Sequence, residues 1–187
     1  LAGLEEQGWK PAPAVEPRVL LRRLYFDVIG LPPSPEAIDE FVRTWHAASA
    51  KGQAGALLDK VVGELLAAPQ YGERWGRHWL DVARYADTKG YAFAKERRYP
   101  YSYTYRDYVI NAFNIDKPYD RFLLEQIAAD QLDTAKDVRT LAGMGFLGVG
   151  RRKDRRVDDD MYDDTIDVIG RGLRAAQAGT AGIDLSS

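Results

Sequence analysis

From Arg18 to about Leu147 the chain repeats apolar side chains every three or four residues, and proline- or glycine-bearing gaps break the repeat. That period belongs to amphipathic helices; no stretch alternates convincingly as a strand does. Val19, Leu20, Leu24, Phe26 and Val28 mark a first helix. It stops at Gly30, and Leu31-Pro32-Pro33 cannot continue it. Ser34-Pro35-Glu36 opens a second helix with an N-cap hydroxyl, a proline at the first position and an acid in the first turn. Its apolar face is Ile38, Phe41, Val42 and Trp45, and it ends at His46, a surface position that suits the helix dipole. Residues 47–54 read as a loop. A strongly amphipathic helix from Ala56 to Ala68 ends at Pro69.

The central helix then spans Tyr71 to Asp87, YGERWGRHWLDVARYAD. After a long tyrosine-rich loop, 88–103, a helix runs from Thr104 or Tyr105 to Phe113. Another follows from Tyr119 to Leu132, with Phe122, Leu123, Ile127 and Leu132 turned inward. Asp137 caps a further helix to about Leu147, whose Gly143, Gly145 and Gly148 lower its propensity and permit close packing. The expected fold is all-α: a single irregular multi-helix bundle of about seven to eight helices. It is preceded by an extended lead-in at 1–17, occupies 18–173 and ends in a flexible tail at 174–187.

Composition narrows the functional classes. The charge of −2 argues against a general surface for nucleic acid. The absence of cysteine excludes disulfides, thiolate metal sites and covalent attachment of c-type haem within this chain. No apolar run reaches the ~20 residues of a membrane span. Phosphate-binding loops, dinucleotide fingerprints and zinc-protease motifs are missing too. The chain starts at Leu1 with no signal peptide and reads as an excised or processed piece.

The central helix holds the densest mixture of rings and ionisable groups. On a wheel of 100° per residue Trp75, Trp79, Val82 and Ala86 share one side, extended by Gly76, Leu80 and Ala83. Along the border of that side run Arg74, His78, Asp81 and Tyr85. This spacing lets Asp81 hold the His78 imidazole in one tautomer, as in an acid–base or ligand-binding strip. It suits better a hydrogen-bond network that fixes how the helix meets its neighbours.

Two other segments carry candidate chemistry. The 88–103 loop mixes Tyr91 and other rings with cations that include Arg97. Such a loop either stacks on single-stranded nucleic acid or on sugar rings or, the favoured reading, folds its rings back over the core. Tyr91 and Arg97 join the strip as ligand-binding candidates. Farther on, RRKDRR precedes an acidic stretch in which Asp160, Asp163, Asp164 and Asp167 can share one helical side. They are the candidate cation ligands, although the spacing is not that of an EF-hand loop.

Three blocks taken together, LRRLYFDVIGLPPSPEAIDEF, YGERWGRHWLDVARYADTKGY and YRDYVINAFNIDKPYDRFLLEQIAADQL, resemble a planctomycete cytochrome-associated domain of unknown function. The resemblance covers about residues 18–173. It implies a place in large exported, periplasmic-type proteins that often carry a c-type cytochrome domain, so that haem c would be bound elsewhere than in this chain. It also implies that the DDTIDVIGRGL block leads into a C-x-x-C-H motif. Here Leu173 is followed by Arg174-Ala175-Ala176-Gln177, which departs from that pattern as a truncated chain would.

The resulting expectation is a helical module with a scaffold, ligand-binding or redox-partner role beside other domains of a parent protein. The alternative is a hydrolase of polymeric carbohydrate that uses a His/Asp acid–base pair. A nucleic-acid binder built on the tyrosine-rich loop and RRKDRR comes last.

Overall fold

The computed structural model describes residues 3, 6–10, 15–86, 101–132, 137–148 and 166–174. Every regular element among them is helical, as the periodicity predicts. The helices gather into two compact units, residues 1–68 and 69–187. No helix among the described residues is long and apolar enough to cross a membrane.

The first unit contains α1 (Pro17–Val28), α2 (Pro35–Ala50) and α3 (Ala54–Leu66), each in contact with the other two. Local chemistry sets their ends. Gly30 takes a φ of 75° just past α1. The Ser34 hydroxyl accepts the Ala37 N–H at 3.2 Å, and Pro35 starts α2. The Glu36 carboxyl, beside its own backbone N–H and the Ser34 hydroxyl, sits below its ordinary pKa. Helix α2 runs four residues past His46 and closes with Gly52 at φ 70°. There the Gln53 N–H reaches Ala48 O and the Gly52 N–H reaches Ser49 O, the paired bonds of a Schellman motif. Leu21, Phe41 and Leu65 form the buried centre, whereas Val19 and Leu66 are exposed. The ion pairs Arg18–Asp39 and Lys60–Glu64 are solvated and contribute little.

The second unit is built on the crossing of α4 (Pro69–Val82) and α5 (Tyr103–Asn114). The buried stripe of α4 is Gly72, Gly76, Trp79 and Ala83, while Trp75 is 37% exposed. A Cβ on Gly72 would lie 2.3 Å from Ile110 O, so only glycine lets the two backbones approach this closely. Asn114 secures the crossing, accepting the Gly72 N–H at 2.8 Å and donating to Pro69 O at 3.1 Å. Gly72→Ala is therefore expected to destabilise the second unit by about 1–3 kcal/mol or more through overpacking. Gly63→Ala, at a helical glycine of α3 with open space around it, should be neutral or slightly stabilising. Paired urea denaturations check this, and equal effects at the two positions would refute it.

Helix α4 ends five residues before the predicted Asp87. Arg84 adopts φ 54°, with the Tyr85 N–H on Leu80 O and the Arg84 N–H on Asp81 O. Helix α5 ends in the same way at Asp116 (φ 47°), where the Lys117 N–H reaches Ala112 O. Pro118 then starts the chain toward α6 (Tyr119–Ala128), which ends in a 3₁₀ turn at Ala129–Gln131.

The predicted glycine-rich helix is three pieces: α7 (Val138–Leu141), a 3₁₀ turn at Ala142–Met144 and α8 (Gly145–Gly148). Asp137 caps α7 as its spacing predicts, accepting the Arg139 N–H at 2.9 Å. Gly143 and Gly145 do permit close packing. A Cβ at either would meet Tyr108 at 2.9 Å or Tyr105 at 2.6 Å, while Gly148 faces open space. Helix α9 (166–174) buries Val168 and sets Gly172 against Trp79, and the Tyr119 hydroxyl donates to Gly172 O at 2.8 Å.

Candidate functional site

Trp79 stands at the middle of the second unit. Its ring meets Phe122 edge-on at 4.9 Å, stacks on Phe146 at 5.7 Å and touches Tyr119 edge-on at 6.2 Å. An indole in such a shell needs an acceptor for its N–H. Gln126, fully buried on α6, supplies one: its Oε1 accepts from Trp79 Nε1 at 2.7 Å and from the Tyr105 hydroxyl at 2.7 Å. Tyr105 OH also lies 3.1 Å from the indole nitrogen, and Gln126 Nε2 donates to Phe122 O at 3.1 Å. Helices α4, α5 and α6 are thus tied at one point.

One residue earlier, Glu125 is 4% exposed. Its carboxylate takes the Tyr108 hydroxyl at 3.0 Å, the Lys117 ammonium and Arg121 Nε at 3.4 Å. The Lys117 ammonium also lies 4.9 Å from the Tyr108 ring centre. This carboxylate is paired and hydrogen-bonded on every side, the condition under which a buried charge is tolerated. The inward face predicted for this helix is corrected accordingly. Phe122, Glu125 and Gln126 are buried, and Ile127 is 39% exposed.

Burial pushes the Tyr105 and Tyr108 phenols well above their ordinary range, and the Glu125 carboxylate adds to the rise at Tyr108. A group raised on folding contributes stability that is complete below its unfolded value, about 10 for tyrosine. That stability is lost as pH climbs toward the folded value. Unfolding free energy should therefore fall above about pH 10, by up to about 1.4 kcal/mol per pH unit for each phenol. Tyr108→Phe, compared by denaturant titration at several alkaline pH values, should flatten the slope by about one phenol's share. An unchanged slope would refute the assignment.

The sequence-predicted strip divides. His78 and Asp81 are both exposed, and no hydrogen bond joins them among the described residues. The His78 ring lies 5.6 Å from Trp75, and the Arg74 guanidinium lies 5.8 Å from the same indole. Tyr85, carried past the end of α4 by the turn at Arg84, points inward and lies 6.1 Å from the Tyr105 ring. Tyr91, Arg97, Asp160, Asp163 and Asp164 fall outside the described residues. Asp167 is bound by Arg171 at 2.8 Å and by Arg174 at 4.0 Å on its own helix. Among the described residues no three carboxylate or imidazole groups gather as cation ligands.

A cavity of about 750 Å³ opens between α5 and the 137–142 segment. Asp107, Asn111, Lys117, Asp137, Arg139 and Thr140 bring polar groups to it. Lys117 and Tyr108 connect its wall to the buried Glu125.

Over residues 1–181 the chain matches the model of the family described as PSCyt2, protein of unknown function (DUF1549). The chain belongs to this family. No curated protein and no solved structure matches it.

Two features of this PSCyt2 chain escaped the sequence. The Glu125-Gln126 pair looks like a solvated step of an amphipathic helix. Its one visible signal is that two hydrogen-bonding residues directly follow an apolar Phe122-Leu123-Leu124 run. The cavity has no linear signature, because its polar residues come from two segments that are twenty positions apart at their nearest.

Proposed function

We propose that this PSCyt2 chain is a non-catalytic helical module of a larger exported, cytochrome-linked protein, with a scaffold role beside a c-type haem domain. One observation supports this reading above others. The ionisable and hydrogen-bonding groups at the centre of the second unit are engaged with one another, so their chemistry serves to hold helices in register. Glu125 is closed off by Lys117, Arg121 and Tyr108, and Gln126 by Trp79 and Tyr105. A general acid or base needs the opposite arrangement, with its titrating atom open to a substrate. Haem, in this reading, belongs to the neighbouring domain and not to this chain.

Fractionation of cells that express the full reading frame tests the proposal. The expected result is recovery of this segment in the exported fraction, on a polypeptide that stains for covalent haem. Recovery in the cytoplasm on a haem-negative product would overturn it.

A further inference from the structure

The cavity beside α5 carries an inference that does not depend on haem linkage. Its volume of about 750 Å³ lies within the range of about 300–1,000 Å³ typical of small-molecule sites. The formal charges on its wall cancel, with Asp107 and Asp137 against Lys117 and Arg139. Lys117 is moreover held by Glu125 and Asp107 by Arg106, so Asp137 and Arg139 are left to balance each other. An ion of either sign would have to shed its water with no net charge to replace it.

The unused hydrogen-bonding capacity is balanced as well. On the donor side, the Arg139 guanidinium, the Asn111 amide and the Thr140 hydroxyl have no bonded partner among the described residues. On the acceptor side, each carboxylate uses one oxygen and keeps the other. Asp107 Oδ1 takes Arg106, and Asp137 Oδ1 takes the Arg139 N–H. A wall with free donors and free carboxylate oxygens suits a group that donates and accepts through the same atom, as an alcohol hydroxyl does. Ile115, Leu141 and Ala142 supply an apolar side for C–H surface.

From this balance we infer that the cavity binds a neutral, polyhydroxylated ligand of the saccharide class. Asp107, Asn111 and Arg139 make the directional contacts and Ile115 and Leu141 flank the carbon skeleton. Binding at this site requires no chemistry from the protein and accords with a non-catalytic module.

The test is amide chemical-shift titration of the isotope-labelled chain with glucose, maltose, cellobiose and lactose. Tartrate serves as the anionic probe and glycylglycine as the zwitterionic one. Expected are saturable shifts from at least one neutral saccharide, centred on residues 104–117 and 137–142. Asn111→Ala and Arg139→Ala should each weaken binding by about tenfold, the worth of one good hydrogen bond. Both side chains are exposed, so an unchanged Tm confirms that folding is intact. The inference falls if none of the four sugars gives saturable shifts at tens of millimolar. It also falls if tartrate or glycylglycine binds more tightly, or if the shifts survive both substitutions.

Discussion

Replacing Trp79 by alanine should lower the unfolding free energy by about 3–5 kcal/mol, the cost of deleting a large buried ring. Domains of this size are stable by only about 5–15 kcal/mol, so the variant should lose a large part of its margin and melt at a sharply lower Tm. The loss is not confined to packing. Without the indole, Phe122 and Phe146 lose a shared neighbour, and buried Gln126 Oε1 loses one of its two 2.7 Å donors, keeping the Tyr105 hydroxyl. Trp79→Phe separates the two effects. It keeps most of the ring contacts and removes the N–H, and it should cost about 0.5–1.5 kcal/mol, the net worth of one hydrogen bond, because Tyr105 still donates to Gln126. Calorimetry of both variants is the measurement. Alanine and phenylalanine variants of equal stability would show that the aromatic shell carries none of the effect.

Removing the Glu125 side chain as Glu125→Ala is expected to cost about 3–5 kcal/mol. The loss leaves the Lys117 ammonium, whose side chain is 15% exposed, without its carboxylate. The Tyr108 hydroxyl loses its 3.0 Å acceptor at the same time and keeps only the Phe122 carbonyl at 3.5 Å. The companion experiment is the double variant Glu125→Leu with Lys117→Met, in which neither charge remains. Apolar replacement of a whole buried pair is often neutral or stabilising, so the double variant should recover most of the loss. Urea denaturation of the single and double variants gives the coupling directly. A single variant within about 1 kcal/mol of the parent would mean that water already solvates the pair.

These predictions sit where the sequence is hardest to read. Helix starts were legible because capping chemistry is local: Ser34-Pro35-Glu36 and Asp137 act on residues two or three positions away. The stop at Gly30 was legible for the same reason. The end of α4 was not, because the left-handed position there is Arg84, and an arginine carries no turn signature. Hydrophobic periodicity placed Trp75 on the core side, yet the stripe that packs on α5 is chosen by the closeness of the two backbones. Gly72 and Gly76 win it although they add nothing to a hydrophobicity count. Glu125 and Gln126 are inside because Lys117, Tyr108 and Trp79 come from other helices to meet them, and that pairing has no period.

The same logic explains the strip on α4. Arg74, His78, Asp81 and Tyr85 lie at helical spacing only while the helix continues. It ends before Tyr85, whose ring joins the core, while His78 and Asp81 stay in solvent.

The placement of the tryptophans gives the molecule built-in optical reporters. Trp79 is enclosed, hydrogen-bonded and unique to the packing of α4, α5, α6 and α8, whereas Trp45 rests on Phe41 in the first unit at 5.6 Å. Buried indoles emit at shorter wavelength than solvated ones. A Trp9→Phe, Trp75→Phe background would silence two exposed emitters and leave one reporter in each unit. In that background, the emission of Trp45 and of Trp79 during a single denaturant titration would reveal whether the two units melt together or in turn.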